Sequence, residues 1–287
     1  MQFLNMGPSA RSLGMSEAHT AIPSGASSLF TNPALLSLEK QSAGILSYIT
    51  WGAAGTRNSH AAVNFKRDRD AFAFGIISSL VEDIEQRDSP GEHYLSIAGA
   101  YSHDLGPFSL GLTGMFLHEQ LFLQNASGVA VSAGAAADFY DERIRLGAAL
   151  LNYGQMQELY LEATHLPTSI RAGVDIQALQ FSTQGNTASV PLLFIISSDY
   201  VKPLNEVRPD DENSDIISQD EAHFNLALRV EISEMLILRS GYKTHHPTRS
   251  ISLGAGVRVN NFDFDYAFAP FAAGFGTAHG ISAGYFF

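Results

Sequence analysis

Past residue 44 the chain alternates. Between residues 223 and 232, Phe224, Leu226, Leu228, Val230 and Ile232 fall on one side, while His223, Asn225, Ala227, Arg229 and Glu231 fall on the other. A period of two is the signature of an extended strand with two unlike faces. The pattern recurs over 250–259, where Ile251, Leu253, Ala255, Val257 and Val259 oppose Ser252, Gly254, Gly256 and Arg258. It recurs again where Phe262, Phe264, Tyr266 and Phe268 oppose Asp263, Asp265, Ala267 and Ala269. Helical periodicity is scarce past residue 44, so the class is all-β.

About fourteen such segments can be marked: 44–51, 58–66, 70–79, 92–103, 107–118, 127–139, 142–152, 167–177, 188–201, 221–233, 235–243, 249–259, 261–269 and 279–287. Most approach the ~9–11 residues that a tilted strand needs to cross a bilayer. The connections run short and long in turn. Residues 67–69, 104–106, 140–141, 233–234 and 260 are short; 80–91, 119–126, 153–166, 202–220, 244–248 and 270–278 are long. Outer-membrane barrels have short periplasmic turns and longer external loops, and an even strand count leaves both termini on the short-turn side. Only 178–187 is too long for its side.

A soluble β-sandwich would alternate as well. Composition separates the two. Charged residues are 16 % of the chain against 25 glycines and 19 phenylalanines, and the usual charged share is about a quarter. The faces opposite the apolar ones are rich in Gly and Ala, where a sandwich's solvent face would carry Lys, Thr and Glu. Arg145, Arg171, Arg229 and Arg258 sit mid-strand, with Asp175, Glu231, Asp263 and Asp265 as possible partners. On a lipid face each arginine would cost roughly 2–4 kcal/mol at the midplane. These eight residues are therefore expected to point inward and pair across a lumen; on a sandwich they would be ordinary surface salt bridges. The expected architecture is a closed antiparallel transmembrane β-barrel over 44–287, preceded by an unlike segment, 1–43.

That segment lacks strand alternation. Asn32-Pro33-Ala34 reads as a turn opening a short helix, with Asn32 as N-cap and Pro33 in its first position. The segment is too apolar for a free tail. It is expected either to plug the barrel or to cap it from below.

Several classes are excluded. The chain has no cysteine, so disulfides and thiolate metal sites are absent. A net charge of −12 argues against nucleic-acid binding. No apolar run is long enough for a transmembrane helix. Residues 1–4 show no basic n-region or long h-region, so either the chain is cytosolic or it is a mature form whose signal has been removed. The barrel pattern selects the second, and a bacterial outer-membrane location. No cofactor or metal is expected. His245-His246 beside Pro247 reads as a solvated loop; His60, His103, His118 and His223 each need only a hydrogen-bond partner. The acidic stretch 202–220, with Glu206, Asp210, Asp211, Glu212, Asp215 and Asp220, is a candidate for calcium or a basic partner, or simply a solvated loop. A barrel hydrolase would need Ser and His on neighbouring strands at one rim, and no motif marks such a pair.

Six stretches resemble the PorV/PorQ family in order along the chain. They are "FLNMGPSARSLGMSEAHTAI" (3–22), "ASSLFTNPALLSLE" (26–39), "LSYITW" (46–51), "LPTSIRAGVDI" (166–176), "LILRSGYK" (236–243) and "FDFDYAFAPFAAGFGTAHGISAGYFF" (262–287). The resemblance implies an outer-membrane barrel related to the FadL fatty-acid transporters, with a plug-like N-terminus. It implies a non-enzymatic scaffold in type IX secretion, binding secreted cargo or translocon partners. The alternative function is a FadL-like conduit for hydrophobic small molecules. Outer-membrane lipid and lipopolysaccharide are the expected surroundings. Tyr285 and Phe287 look like the terminal signal read by the barrel-assembly machinery, or an aromatic girdle at the interface.

Overall fold

The computed structural model describes residues 1–52, 55–81, 91–158, 163–184, 189–204, 221–245, 249–272 and 274–287. Fourteen strands follow one another: β1 (Ala43–Trp51), β2 (Thr56–Arg67), β3 (Asp70–Val81), β4 (Glu92–Asp104), β5 (Ser109–Leu121), β6 (Gln124–Phe139), β7 (Ile144–Met156), β8 (Ser169–Gln184), β9 (Ser189–Pro203), β10 (His223–Ile232), β11 (Leu236–Lys243), β12 (Ile251–Val259), β13 (Phe262–Pro270) and β14 (Thr277–Phe286). Each pairs antiparallel with its neighbours in sequence, and β1 pairs with β14 from Ala43↔Phe286 to Trp51↔Ala278. The sheet closes and leaves no edge, which removes the hydrogen-bonding liability of a free strand.

Two expected connections differ. Residues 178–187 are largely strand, because β8 continues to Gln184 through a register shift between Gln177 and Leu179. A bulge breaks the alternation by one residue and so imitates a loop in sequence. The expected long loop 119–126 is a tight hairpin, with Leu121 paired to Gln124 and Phe122 at φ +53°.

The two faces are unlike, as the alternation requires. Leu46 is 66 % exposed and Leu112 64 %, and both belong to a belt of outward apolar side chains running round the barrel. So large an apolar surface is stable only against lipid or a partner. Tyr285 and Phe287 join it at the short-turn end, where Phe262, Tyr285, Phe287 and Phe65 form a chain of ring contacts with centroids 4.8–6.2 Å apart.

The N-terminal segment packs against the inward faces. Ser9 caps α1 (Ala10–Leu13) by accepting from the Ser12 amide at 3.3 Å. Asn32 caps the 3-10 helix Pro33–Leu38 by accepting from the Ala34 amide at 3.2 Å, with Pro33 in its first turn. The wall it meets is two-sided. Leu29 and Leu36 pack on Ala71, Ala73, Ala98, Ala100, Met115 and Leu117 of β3–β5. Ala10 and Leu13 pack on Ile49, Ala267, Ala269 and Ala278.

Small inward residues let the segment approach this closely. A methyl at Gly111 would strike the backbone of Pro33 and Ala34; at Gly147, that of Thr20 and Ala21; at Gly241, that of Met15 and Ser16. The Gly and Ala residues opposite the apolar faces thus form a seat for another piece of chain.

Candidate functional site

The contact between the N-terminal segment and the inward wall holds most of the buried charge. It has an upper and a lower part.

In the upper part, Glu17 accepts from Arg249 Nη2 at 2.7 and 2.6 Å and also pairs with Lys243. All three side chains are buried or nearly so. The Arg249 guanidinium lies 4.7 Å from the centroid of Trp51. Asp199 accepts from the amides of His19 and Thr20, both at 2.8 Å, and from the Thr20 hydroxyl at 2.7 Å. Arg171 Nη1 lies 3.4 Å from His19 Nε2.

Burial alone would raise the Glu17 carboxyl, but Arg249 and Lys243 outweigh it and hold it far below the ordinary 4.5. Burial, assisted by Arg171, pushes His19 down to about 3. Both groups are deprotonated in the packed segment and take up protons more readily once released. Each therefore stabilises docking at high pH and loses that contribution as pH falls. Docking of residues 9–22 should be complete above about pH 6.5, the ordinary His value, weaken below it, and weaken further below 4.5. Glu39, whose carboxyl is raised by burial, acts in the opposite sense. Fluorescence of Trp51 across pH 7 to 4 measures the net effect.

In the lower part, near the short turns, Arg11 Nη2 meets Asp263 at 2.9 Å and Asp265 at 3.5 Å. Arg258 meets Asp263 at 2.9 Å, and Arg239 meets Asp265 at 2.6 Å. Arg229 lies 3.5 Å from Asp175 and 3.2 Å from Glu231, and Arg145 pairs with Asp138. Arg11, Glu39, Arg145, Asp175, Arg229, Glu231, Arg239 and Arg258 surround a cavity of about 350 Å³.

Seven of the eight residues expected in a lumen charge network thus gather here: Arg145, Asp175, Arg229, Glu231, Arg258, Asp263 and Asp265. Arg171 stands apart, beside His19 in the upper part. The wall's own pairs lie within one strand or between adjacent or next-adjacent strands, and not across the lumen as expected. The N-terminal segment contributes Arg11 to the same group. Arg239 and Lys243 were readable by parity, since Leu236, Leu238 and Tyr242 on the same strand face outward. Glu17, Arg249 and Arg11 carry no local signal.

His103 meets Asp70 at 2.8 Å, His118 meets Ser127 at 3.1 Å and His223 meets the Glu221 carbonyl at 2.9 Å. His60 instead packs edge-on against Phe30 and has no hydrogen-bond partner among the described residues. His246, Pro247 and the acidic residues Glu206, Asp210, Asp211, Glu212, Asp215 and Asp220 lie outside the described residues.

A closed antiparallel barrel of fourteen strands, wearing an apolar belt, is the architecture of a transmembrane β-barrel. Among solved structures the chain is similar to CymD, a monoaromatic hydrocarbon channel, with a TM-score of 0.63, 12% sequence identity and 98% of each chain covered. It is similar to the toluene transporter TbuX of Ralstonia pickettii (TM-score 0.58, 13% identity, 98% of each chain) and to the toluene transporter TodX of P. putida (TM-score 0.58, 10% identity, 98% of each chain). At such identities the likeness is one of fold. No family model matches the chain, and no curated protein matches it in sequence. The comparisons therefore carry the barrel fold and leave the PorV/PorQ resemblance on the sequence motifs alone.

Proposed function

We propose that the chain is an outer-membrane conduit for hydrophobic small molecules, with residues 1–43 as its plug and Asn32-Pro33-Ala34 as the capped turn within it. The observation that carries this reading is the fold shared over 98% of the chain with a hydrocarbon channel and two toluene transporters. The burial of residues 9–38 against the inward wall supports the plug. In this reading lipid and lipopolysaccharide surround the belt, and Tyr285 and Phe287 form the barrel-assembly signal. No cofactor is needed.

The test is the initial rate of labelled toluene uptake by bacterial cells that lack other hydrocarbon channels. Expression of this chain should raise it severalfold, with no gain for a polar solute of similar size. A rate equal to that of empty-vector cells rejects the conduit. The ordered PorV/PorQ motifs support a second reading, a secretion scaffold. It requires translocon components or secreted cargo to co-purify from native membranes, and it requires no toluene uptake.

A further inference from the structure

The outer wall carries a polar pair unrelated to the lumen. On β3, Phe72, Phe74, Ile76 and Leu80 face outward, and Ser78 shares their parity. On β4, Ile97 and Tyr101 face outward, and His93 shares theirs. Ser78 Oγ lies 3.0 Å from His93 Nε2, and both residues are half-buried. Gln120 is the residue opposite His93 on β5.

The height of this pair is informative. Ser78 is eight residues above Asp70, the first residue after a short turn. At about 3.3 Å per residue and a tilt near 40°, it stands roughly 20 Å up, close to the top of an apolar belt about 25 Å tall. That is where hydrocarbon gives way to water, and where the ester bonds of outer-leaflet lipids lie.

Beside Ser78 the wall is indented. A depression of about 620 Å³ is bordered on its outward side by Leu46, Tyr48, Ala61, Ile76 and Ile281, with Ser59 and Ser78 at its upper end. Ser59 faces Ser78 in register across β2–β3. The depression exists because β2 and β14 present Ala61 and Ala283 on either side of Leu46. Other outward histidines also meet hydroxyls. His118 contacts Ser127 through Nδ1, and His279 lies between Tyr266 and Thr277. Neither Ser127 nor Thr277 borders this depression. Those contacts read as interfacial hydrogen bonds. Ser78 differs because it stands at the head of an apolar slot.

We propose that Ser78 and His93 are a nucleophile and general base that cleave carboxylic esters of membrane lipids, with the acyl chain lying in the depression below Ser78. Ser78 Oγ attacks the ester carbonyl carbon and its proton passes to His93 Nε2. The bond from the carbonyl carbon to the alcohol oxygen breaks, and the imidazolium returns the proton to the departing alcohol. Water from the outer aqueous side, deprotonated by His93, then attacks the acyl-serine. The products are a fatty acid and free Ser78. The Ser59 hydroxyl is placed to donate to the oxyanion. This activity is independent of the conduit, since it uses only the outer face.

The test uses the full-length barrel in mixed micelles with phosphatidylethanolamine carrying radiolabelled palmitoyl chains, and hexadecanesulfonyl fluoride as a serine-directed probe. The folded wild type should release palmitate and take up one sulfonyl group on Ser78. Ser78→Ala and His93→Ala should each lower release by at least about 10³-fold, with unchanged heat-modified mobility as the check on folding. Ser127→Ala should release palmitate at the wild-type rate. Absence of release by folded wild type overturns the proposal. So does release or labelling that persists in Ser78→Ala.

Discussion

Replacing Glu17 with alanine should undock residues 9–22 from the barrel while leaving the barrel itself intact. Glu17 is the common partner of Arg249 and Lys243, and all three are buried. Removing the carboxylate takes away the anion that two buried cations share. Breaking a buried pair in this way costs roughly 3–5 kcal/mol. The local packing of a short segment cannot absorb that, whereas a closed ladder of fourteen strands can. Trp51 is the only tryptophan in the chain and has the Arg249 guanidinium over its ring and Phe271 at 5.3 Å. Its emission should therefore shift when the cluster opens, with β-sheet circular dichroism unchanged. Glu17→Gln keeps the shape and isolates the charge. A triple replacement of Glu17, Lys243 and Arg249 by apolar residues should destabilise docking less than Glu17→Ala alone, because both buried cations leave together with the anion they share. Wild-type emission and wild-type resistance to protease in Glu17→Ala count against this account.

The second large effect is expected from Gly111→Val and Gly147→Val. Valine is well suited to a strand, so neither change should harm the wall. On the inward side, however, the first added carbon meets the backbone of Pro33–Ala34 or of Thr20–Ala21. A side chain could rotate away from it; main chain cannot. Overpacking commonly costs about 1–3 kcal/mol, and collision with backbone lies at or beyond the upper end. The expected outcome is a folded barrel whose N-terminal segment is cut by protease at residues protected in the wild type. In planar bilayers the same variants should show larger and more frequent openings. If the segment stays protected, the close approach at these glycines does not hold it in place.

The barrel was largely legible because its signal is local. Alternation in a strand such as Phe262–Pro270 depends only on which residues are neighbours, and lipid outside a closed sheet demands apolar residues at every second position. The misread positions are those where this local signal fails. A bulge at Gln177/Leu179 shifted the parity, and a two-residue turn at Phe122-Leu123 carried apolar residues in place of Gly or Asn. Asn32-Pro33 could be read as a cap for the same local reason, since an Asx side chain and a fixed proline φ act within one turn.

The sequence by itself determined that these ribbons have an oily and a small or polar side, that about fourteen of them close on one another, and that the arginines must turn inward. Tertiary structure alone decided what the inward side meets. Contacts such as Glu17 with Arg249, Arg11 with Asp263 and Ser78 with His93 join residues whose separation along the chain says nothing of their separation in space. They arise from the register between strands and from where the first forty residues pack on the inward wall, and both are set by packing over the whole barrel.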